Sequence, residues 1–472
     1  MLDPVIMSRL QFALTTAVHI IFPAISMGLA PFLVYFTWKE VRGAGEPWVS
    51  LRRFWVKIFA LTFVVGTVTG IVLEFEFGTN FAYYASYVGG IFGGPLATEG
   101  LMAFMLESTF LGILLFGRDR VSNRLYLLSA GLVALGSWLS AVWILIANSW
   151  MHLPRGYELG TRAGQEVAVI VDPIAAYFNP RFLYMFAHMQ SSAVLAAALF
   201  MAGIATYKLT TSDQRRKFWM TSLKLAIVAM LITAPFQVVQ GDSYGRHVAE
   251  TQEQKFAAME AVYETESGVD TYLFAFPTDP ADFLDPSARD IFAVGIPNMA
   301  SFLASGGDPG AEVAGLDDTN ALTYEAGDRV GERAEGEPPV AVVFWSFRLM
   351  VGLGMWFIVL ALWAGFRWYQ GKLMDDWYLQ KGLIHSAALG VVAIELGWIV
   401  TEVGRQPWAI QELVSVSEGV SPELTTADST LTFLGFVLGY AALLGIWIYL
   451  VRRMVLRGPK EPEEPPTEVS PE

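Results

Sequence analysis

The chain has 472 residues, 54% of them hydrophobic, 14% aromatic and only 16% charged, where soluble domains carry roughly 25% charged residues. With a mean hydropathy of +0.44 it cannot present a soluble surface, and a polytopic membrane protein is the class that remains. Cysteine is absent, which excludes disulfides, thiolate metal sites, cysteine-held iron–sulfur clusters and a CxxCH haem attachment.

Runs of about 20 apolar residues can cross the roughly 30 Å core of a bilayer as helices. Nine follow one another, at 14–38, 58–79, 95–117, 127–150, 182–207, 219–241, 341–366, 383–402 and 429–451. The first does not read as a cleavable signal, because its flank MLDPVIMSRL has a single Arg and no small-residue cleavage site follows a short apolar stretch. The prediction is an all-α, multi-pass integral protein of the cell membrane, set in the lipid bilayer with nine transmembrane helices and one long loop between helices six and seven. Its segments are 1–241 (six helices), 242–340 (the loop), 341–451 (three helices) and 452–472 (an acidic tail).

Lys and Arg set the orientation. Odd-to-even connections and the tail carry nineteen of them; the N-terminus and the short even-to-odd connections carry five. The N-terminus and the long loop are therefore expected outside and the C-terminus in the cytoplasm. The loop has 99 residues with 20 acidic and 5 basic side chains, a solvating balance. Within it 251–264 (TQEQKFAAMEAVYE) reads as a short helix, and the second half, with GGDPG and GEPP, as irregular. The tail KEPEEPPTEVSPE reads as disordered.

A charge at the bilayer centre costs about 2.5–3.5 kcal/mol on insertion scales, which makes ionisable groups within spans functional candidates. Of the five His, His152 and His247 read as solvated residues of outward loops and His385 as interfacial. His19 and His188 instead lie some six residues inside spans that begin at the outer face. Glu99 and Glu107 sit near the outer end of the third span, about 12 Å apart along its axis. Glu395 and Glu402 share one face of the eighth span, Glu74 and Glu76 close the second, and Arg348 and Met350 enter the seventh. An orientation taken from loop cations alone brings all these groups to one level.

Two His, one Met and several Glu without any Cys form a ligand set for non-covalently held haem. Imidazole and thioether are usual axial ligands, and a carboxylate suits ferric iron as a hard anion. Arg348 and Arg405 are candidates to neutralise haem propionates through paired hydrogen bonds. A secondary transporter would show inverted repeats and ionisable groups at mid-depth. A haem-bearing reductase without oxygen chemistry would show His pairs on facing helices.

RLQF at 9–12 with His19, TGIVLEFEFGTNF at 69–81, EGLMAFMLESTF at 99–110, FWSFRLMVG at 344–352 and TEVGRQPW at 401–408 together resemble subunit I of the cytochrome bd quinol oxidases. The match runs through all nine helices. The resemblance implies a haem-containing subunit of a terminal oxidase that oxidises membrane quinol at the outer face. It would reduce O2 to water with cytoplasmic protons, generating a proton-motive force without pumping. His188 and Met350 would be the axial pair of a low-spin haem b, with Arg348 beside it. His19 and Glu402 would serve a high-spin haem b and haem d, in an order that varies among members, and some members carry a b haem in place of haem d. Glu99 and Glu107 match carboxylates assigned to proton delivery or to the oxygen-site haem; Lys255 and Glu260 match the Lys and Glu of the quinol-binding loop. A homologous subunit II without the haem ligands is implied as partner, with a very small single-helix subunit as a further option; no nucleic acid is expected. The loop start GDSYGRHVAE at 241–250 departs from the more acidic start of many members, and the loop is shorter than in members with an insertion in its second half.

The chemistry gives these types their reasons. Quinol oxidation releases protons, so an acid–base group such as Glu260 is useful near the ring oxygens, and Lys255 could stabilise an oxygen that gains negative charge. Oxygen reduction consumes protons. Glu107, Ser108, Ser140 and Asn148 are candidates for a buried route inward, with simple interhelical hydrogen bonds as the alternative reading.

Overall fold

The computed structural model describes residues 3–278, 291–318 and 338–459. The tail from 460 onward, and segments 279–290 and 319–337 of the long loop, lie outside the described residues, and with them the readings made for the tail and for part of GEPP.

Helix α1 (Pro4–Val41) starts at Asp3, whose carboxylate accepts from the Val5 amide at 2.9 Å with Pro4 at the first helical position, the usual chemistry of a helix start. α2 (Trp48–Thr79) follows. The third span is built from α3 (Ala82–Thr98), a π-helical turn at Glu99–Phe104 and α4 (Met105–Phe116). Next come α5 (Asn123–His152), a short α6 (Pro173–Tyr177), α7 (Pro180–Thr211) and α8 (Arg216–Thr251). The last spans are α11 (Val340–Tyr369), the pair α12 (Trp377–His385) and α13 (Leu389–Val403), and α15 (Thr426–Arg457). Among the described residues eight spans are long and apolar enough to cross a membrane, and the α12–α13 pair, bent by 46°, makes a ninth. The nine expected runs fall on these spans.

Two spans are not the plain helices expected. The π turn interrupts the third, and such turns gather at functional sites. The eighth breaks at Ser386–Ala388, where the Trp356 indole donates to Ser386 Oγ at 2.9 Å. Ala387 there sits so close to α7 that a Cβ on Gly203 would lie 2.5 Å from it.

α1 and α7 form the centre, each with two thirds of its apolar window buried, and α15 lies at the rim with 17%. The central pair meets backbone to backbone: a Cβ on Gly28 would stand 2.0 Å from the Ala193 carbonyl oxygen. In a bilayer such small-residue contacts hold helices together by packing. At the end where α1 finishes, Glu40 takes Arg52 and, at 2.9 Å, Arg118, with Tyr126 beneath both guanidiniums.

The opposite end carries the connections that matter for function. α8 runs ten residues past the point where polarity begins, held there by an Asp242–Arg246 ion pair of 2.6 Å. The expected loop helix is α9 (Glu253–Glu260), closed by Ala261 in the left-handed region (φ 57°). What read as irregular beyond it contains an antiparallel hairpin of β4 (Thr271–Pro277) with β5 (Ile291–Ile296), a helix α10 (Met299–Ser305), and a short pairing of β3 (Glu266–Ser267) with β6 (Glu312–Val313). The 151–181 connection likewise holds a hairpin, β1 (Tyr157–Arg162) with β2 (Gln165–Ile170). Beyond α13, β7 (Trp408–Ile410) pairs with β8 (Val414–Ser415), and α14 (Val416–Gly419) leads into α15.

Candidate functional site

His19 projects from α1 toward α2, its Nδ1 2.9 Å from Thr69 Oγ1. The Thr69 hydroxyl donates to the carbonyls of Val65 and Gly66, at 3.1 and 3.0 Å. With its only proton so used, Thr69 can accept from Nδ1–H alone, which leaves a lone pair on His19 Nε2. His188 on α7 is fixed the same way by another group. Its Nδ1 lies 2.6 Å from Gln240 Oε1, while Gln240 Nε2 donates to the Tyr184 carbonyl at 2.8 Å. A histidine whose Nδ1–H is tied to an acceptor is the arrangement found around metal-ligating imidazoles.

Met350 stands on α11 against α13, where a Cβ on Gly397 would lie 3.0 Å from its sulfur. α7 and α11 each pack on α8 and α13 rather than on one another, so His188 and Met350 sit on two spans that share their neighbours. Glu402 ends α13 with both oxygens engaged: Asn148 Nδ2 donates to one at 2.7 Å, Arg405 Nη2 to the other at 2.6 Å. Each oxygen keeps a further lone pair. This donor set fits haem: two imidazoles with Nε2 free, one thioether and one oriented carboxylate, with no thiol.

The face of α5 made by Ser137, Ser140, Asn148 and His152 meets three carboxylates in turn. Ser137 donates to Glu107 at 2.5 Å, Ser140 to Glu99, and Asn148 to Glu402. Ser108, the expected neighbour of Glu107, instead bonds the Met105 carbonyl of its own helix. Glu76 is buried in the α1–α2 seam, where Thr15 donates to it at 2.5 Å, whereas Glu74 is exposed. Glu395, seven residues before Glu402, keeps a buried oxygen without a hydrogen-bond partner. Arg9 donates to Gln406 Oε1 at 2.6 Å and so joins the RLQF and GRQPW segments.

Lys255 and Glu260 are both 2% exposed, so the loop helix that bears them is folded inward rather than solvated. They face different partners. Lys255 Nζ lies 3.1 Å from His152 Nδ1 and 2.9 Å from Gln252 Oε1. Burial, then the nearby cations Arg181 and Arg405, hold its pKa well below the usual value. Glu260 takes Arg348 in a two-pronged pair, 2.6 Å and 3.3 Å; Arg348 Nε also donates to the Tyr272 carbonyl. Burial raises the Glu260 pKa, and Arg348 opposes that rise.

Two expectations are corrected here. His152 is fully buried and His247 is 7% exposed; neither is a solvated loop residue, because Gln252, Lys255 and Arg405 close over His152 and Tyr184 stacks on His247 with centroids 4.7 Å apart. His385 does lie at the surface, bonded to the Lys381 carbonyl. Arg348 and Arg405, the candidates for haem propionates, each hold a carboxylate of the chain itself. Thr69, Gln240, Ser137 and Arg181 were not singled out by sequence reasoning. Only Thr69, inside the TGIVLEFEFGTNF segment, carried a signal.

The family model described as cytochrome bd terminal oxidase subunit I matches residues 7–459. The chain is 32% identical to the cytochrome bd ubiquinol oxidase subunit 1 of Bacillus subtilis, over 97% of this chain and 94% of that one. It is 33% identical to the cytochrome bd-II ubiquinol oxidase subunit 1 of Escherichia coli, over 99% of each. Its fold matches the bd oxidase from Geobacillus thermodenitrificans with a TM-score of 0.84 and 30% identity, covering 97% of this chain and 99% of that one. The chain therefore belongs to the cytochrome bd terminal oxidase subunit I family.

Proposed function

We propose that the chain is the haem-bearing subunit of a quinol:O2 oxidoreductase that works with a subunit II. The reading rests above all on the two intramembrane imidazoles, each tied through Nδ1 with Nε2 left for a metal. Bound haems would supply the one-electron redox chemistry between quinol and O2. His188 and Met350 would hold the low-spin haem b. His19 and Glu402 would hold the other two, a high-spin haem b and a haem d or a further b haem.

Quinol oxidation yields quinone, two electrons and two protons; reduction of one O2 to two waters takes four of each, hence two quinols. The quinol site lies at the α9 end, with Lys255 and Glu260 at its two sides. Lys255, its pKa lowered by burial and by Arg181 and Arg405, can take a proton from a quinol hydroxyl. Glu260, its pKa raised by burial, can take the second. Glu107, Glu99 and the α5 serines hand protons toward the oxygen site from the cytoplasmic half. With the α9 end outside, as the loop cations require, protons are released on one side and consumed from the other. Charge then crosses the membrane without a pump.

The test is a reduced-minus-oxidised spectrum of the purified complex with quinol-driven oxygen uptake. A low-spin b band together with uptake supports the reading. A colourless complex, or a b band without uptake, defeats it.

A further inference from the structure

Arg181 opens α7 seven residues before His188, which places it on the same face and about 10 Å along the axis. It is 1% exposed. Its guanidinium lies 5.3 Å over the Tyr244 ring, which also flanks His188 at 5.8 Å. Its Nε and Nη1 have no hydrogen-bond partner. Arg348 and Arg405 are satisfied by Glu260 and Glu402, each at 2.6 Å; among the described residues no ion pair of this kind forms at Arg181. Lys255, also buried, has His152 and Gln252 as its partners. Arg181, Lys255 and Arg405 lie within electrostatic reach of one another, with Glu402 as the acid among them. A buried guanidinium with open N–H groups is tolerated only if an anion meets it, and among the described residues no carboxylate comes within ion-pair distance of Arg181.

We propose that Arg181 binds the propionate carboxylates of the haem held by His188. The proposal rests on the haem reading of that histidine. Seven residues along one helix face put Arg181 within reach of a group that His188 would hold. Arg181 offers free N–H donors there, in a site where carboxylate–guanidinium bonds are strong. A cation at this rim favours the reduced haem, which carries one positive charge less.

In the assembled oxidase, Arg181→Leu should shift the one-electron equilibrium of the low-spin haem about tenfold toward the oxidised form, or about 59 mV lower in midpoint potential, read by spectroelectrochemical titration. Arg181→Lys, which keeps the charge, should recover most of the shift. If the leucine variant does not assemble, Arg181→Gln removes the same charge with a polar side chain. An unmoved potential with full haem content overturns the proposal, as does an unmoved potential with a raised quinol KM, which would put quinol at this arginine. His188→Ala separates the two readings. A retained low-spin spectrum there defeats the haem assignment, whereas its loss beside an unmoved Arg181→Leu potential defeats the propionate assignment alone.

Discussion

Gln240 Oε1 stands 2.6 Å from His188 Nδ1, and the amide nitrogen that might have competed is committed to the Tyr184 carbonyl at 2.8 Å. The amide has one orientation that satisfies both contacts, so the imidazole has one tautomer. Thr69 imposes the same tautomer on His19 with a hydroxyl from α2. A histidine that merely packed between helices would not need its ring so fixed; one that ligates iron does.

Gln240→Leu should therefore loosen the low-spin haem by about 10- to 100-fold in affinity. The haem-to-protein ratio of the complex after size-exclusion chromatography measures it. Thr69→Val should do the same to the haem at His19 and spare the low-spin band. Full haem retention in both variants would leave these contacts as helix packing.

Removing a ligand is a harsher change with a cleaner reading. His188→Ala or Met350→Leu should abolish the low-spin signal while the amount of subunit in the membrane stays unchanged, as difference spectra set against immunodetected protein would record. Gly397→Ala should perturb the same band more mildly, since its new methyl would stand 3.0 Å from the Met350 sulfur. A low-spin band unaltered in all three would assign the haem to other side chains.

The spans are legible in the sequence because a bilayer imposes length and apolarity on every helix that crosses it. Local pattern does not reveal where tertiary neighbours rewrite the backbone. The break at Ser386–Ala388 depends on Trp356 and Gly203 from other helices, and the π turn at Glu99–Phe104 puts Glu99 beside Ser140 of α5. His152 is a different failure. Its place at the end of an apolar run predicts solvent, but α9 brings Lys255 and Gln252 onto it from about a hundred residues away. Glu402 and Arg405, three apart on a helix end, form a pair that spacing alone could have suggested; Arg348 and Glu260, 88 residues apart, do not.

The α9 end should set the pH dependence of quinol oxidation. Glu260 must be ionised to accept a proton, and burial raises its pKa, so turnover should climb with pH through that raised value. Arg348 pulls the pKa down; losing Arg348 to Leu should move the limb to higher pH. Glu260→Gln should remove the limb and slow turnover with quinol by one to two orders of magnitude, about what a general base contributes. Turnover with an artificial donor that reduces the haems directly should change far less. Equal loss with both donors would take Glu260 out of the quinol site.

Glu107 makes the opposite case, a carboxylate whose loss should spare quinol chemistry. It is 5% exposed on the third span, with Ser137 of α5 donating at 2.5 Å, and the next carboxylate along that face, Glu99, is met by Ser140. Glu107→Gln keeps the shape and the hydrogen bond from Ser137 but cannot carry a proton. Oxygen uptake should fall by at least about tenfold, as loss of a positioned proton-transfer group predicts, with the haem spectrum intact and reduction by quinol in the absence of O2 still fast. Ser137→Ala should fall less, because the carboxyl remains and water can replace one hydroxyl. If Glu107→Gln consumed oxygen at the full rate, the Ser137–Glu107 contact would be no more than a hydrogen bond between two helices, and the protons would have to reach the oxygen site from another side.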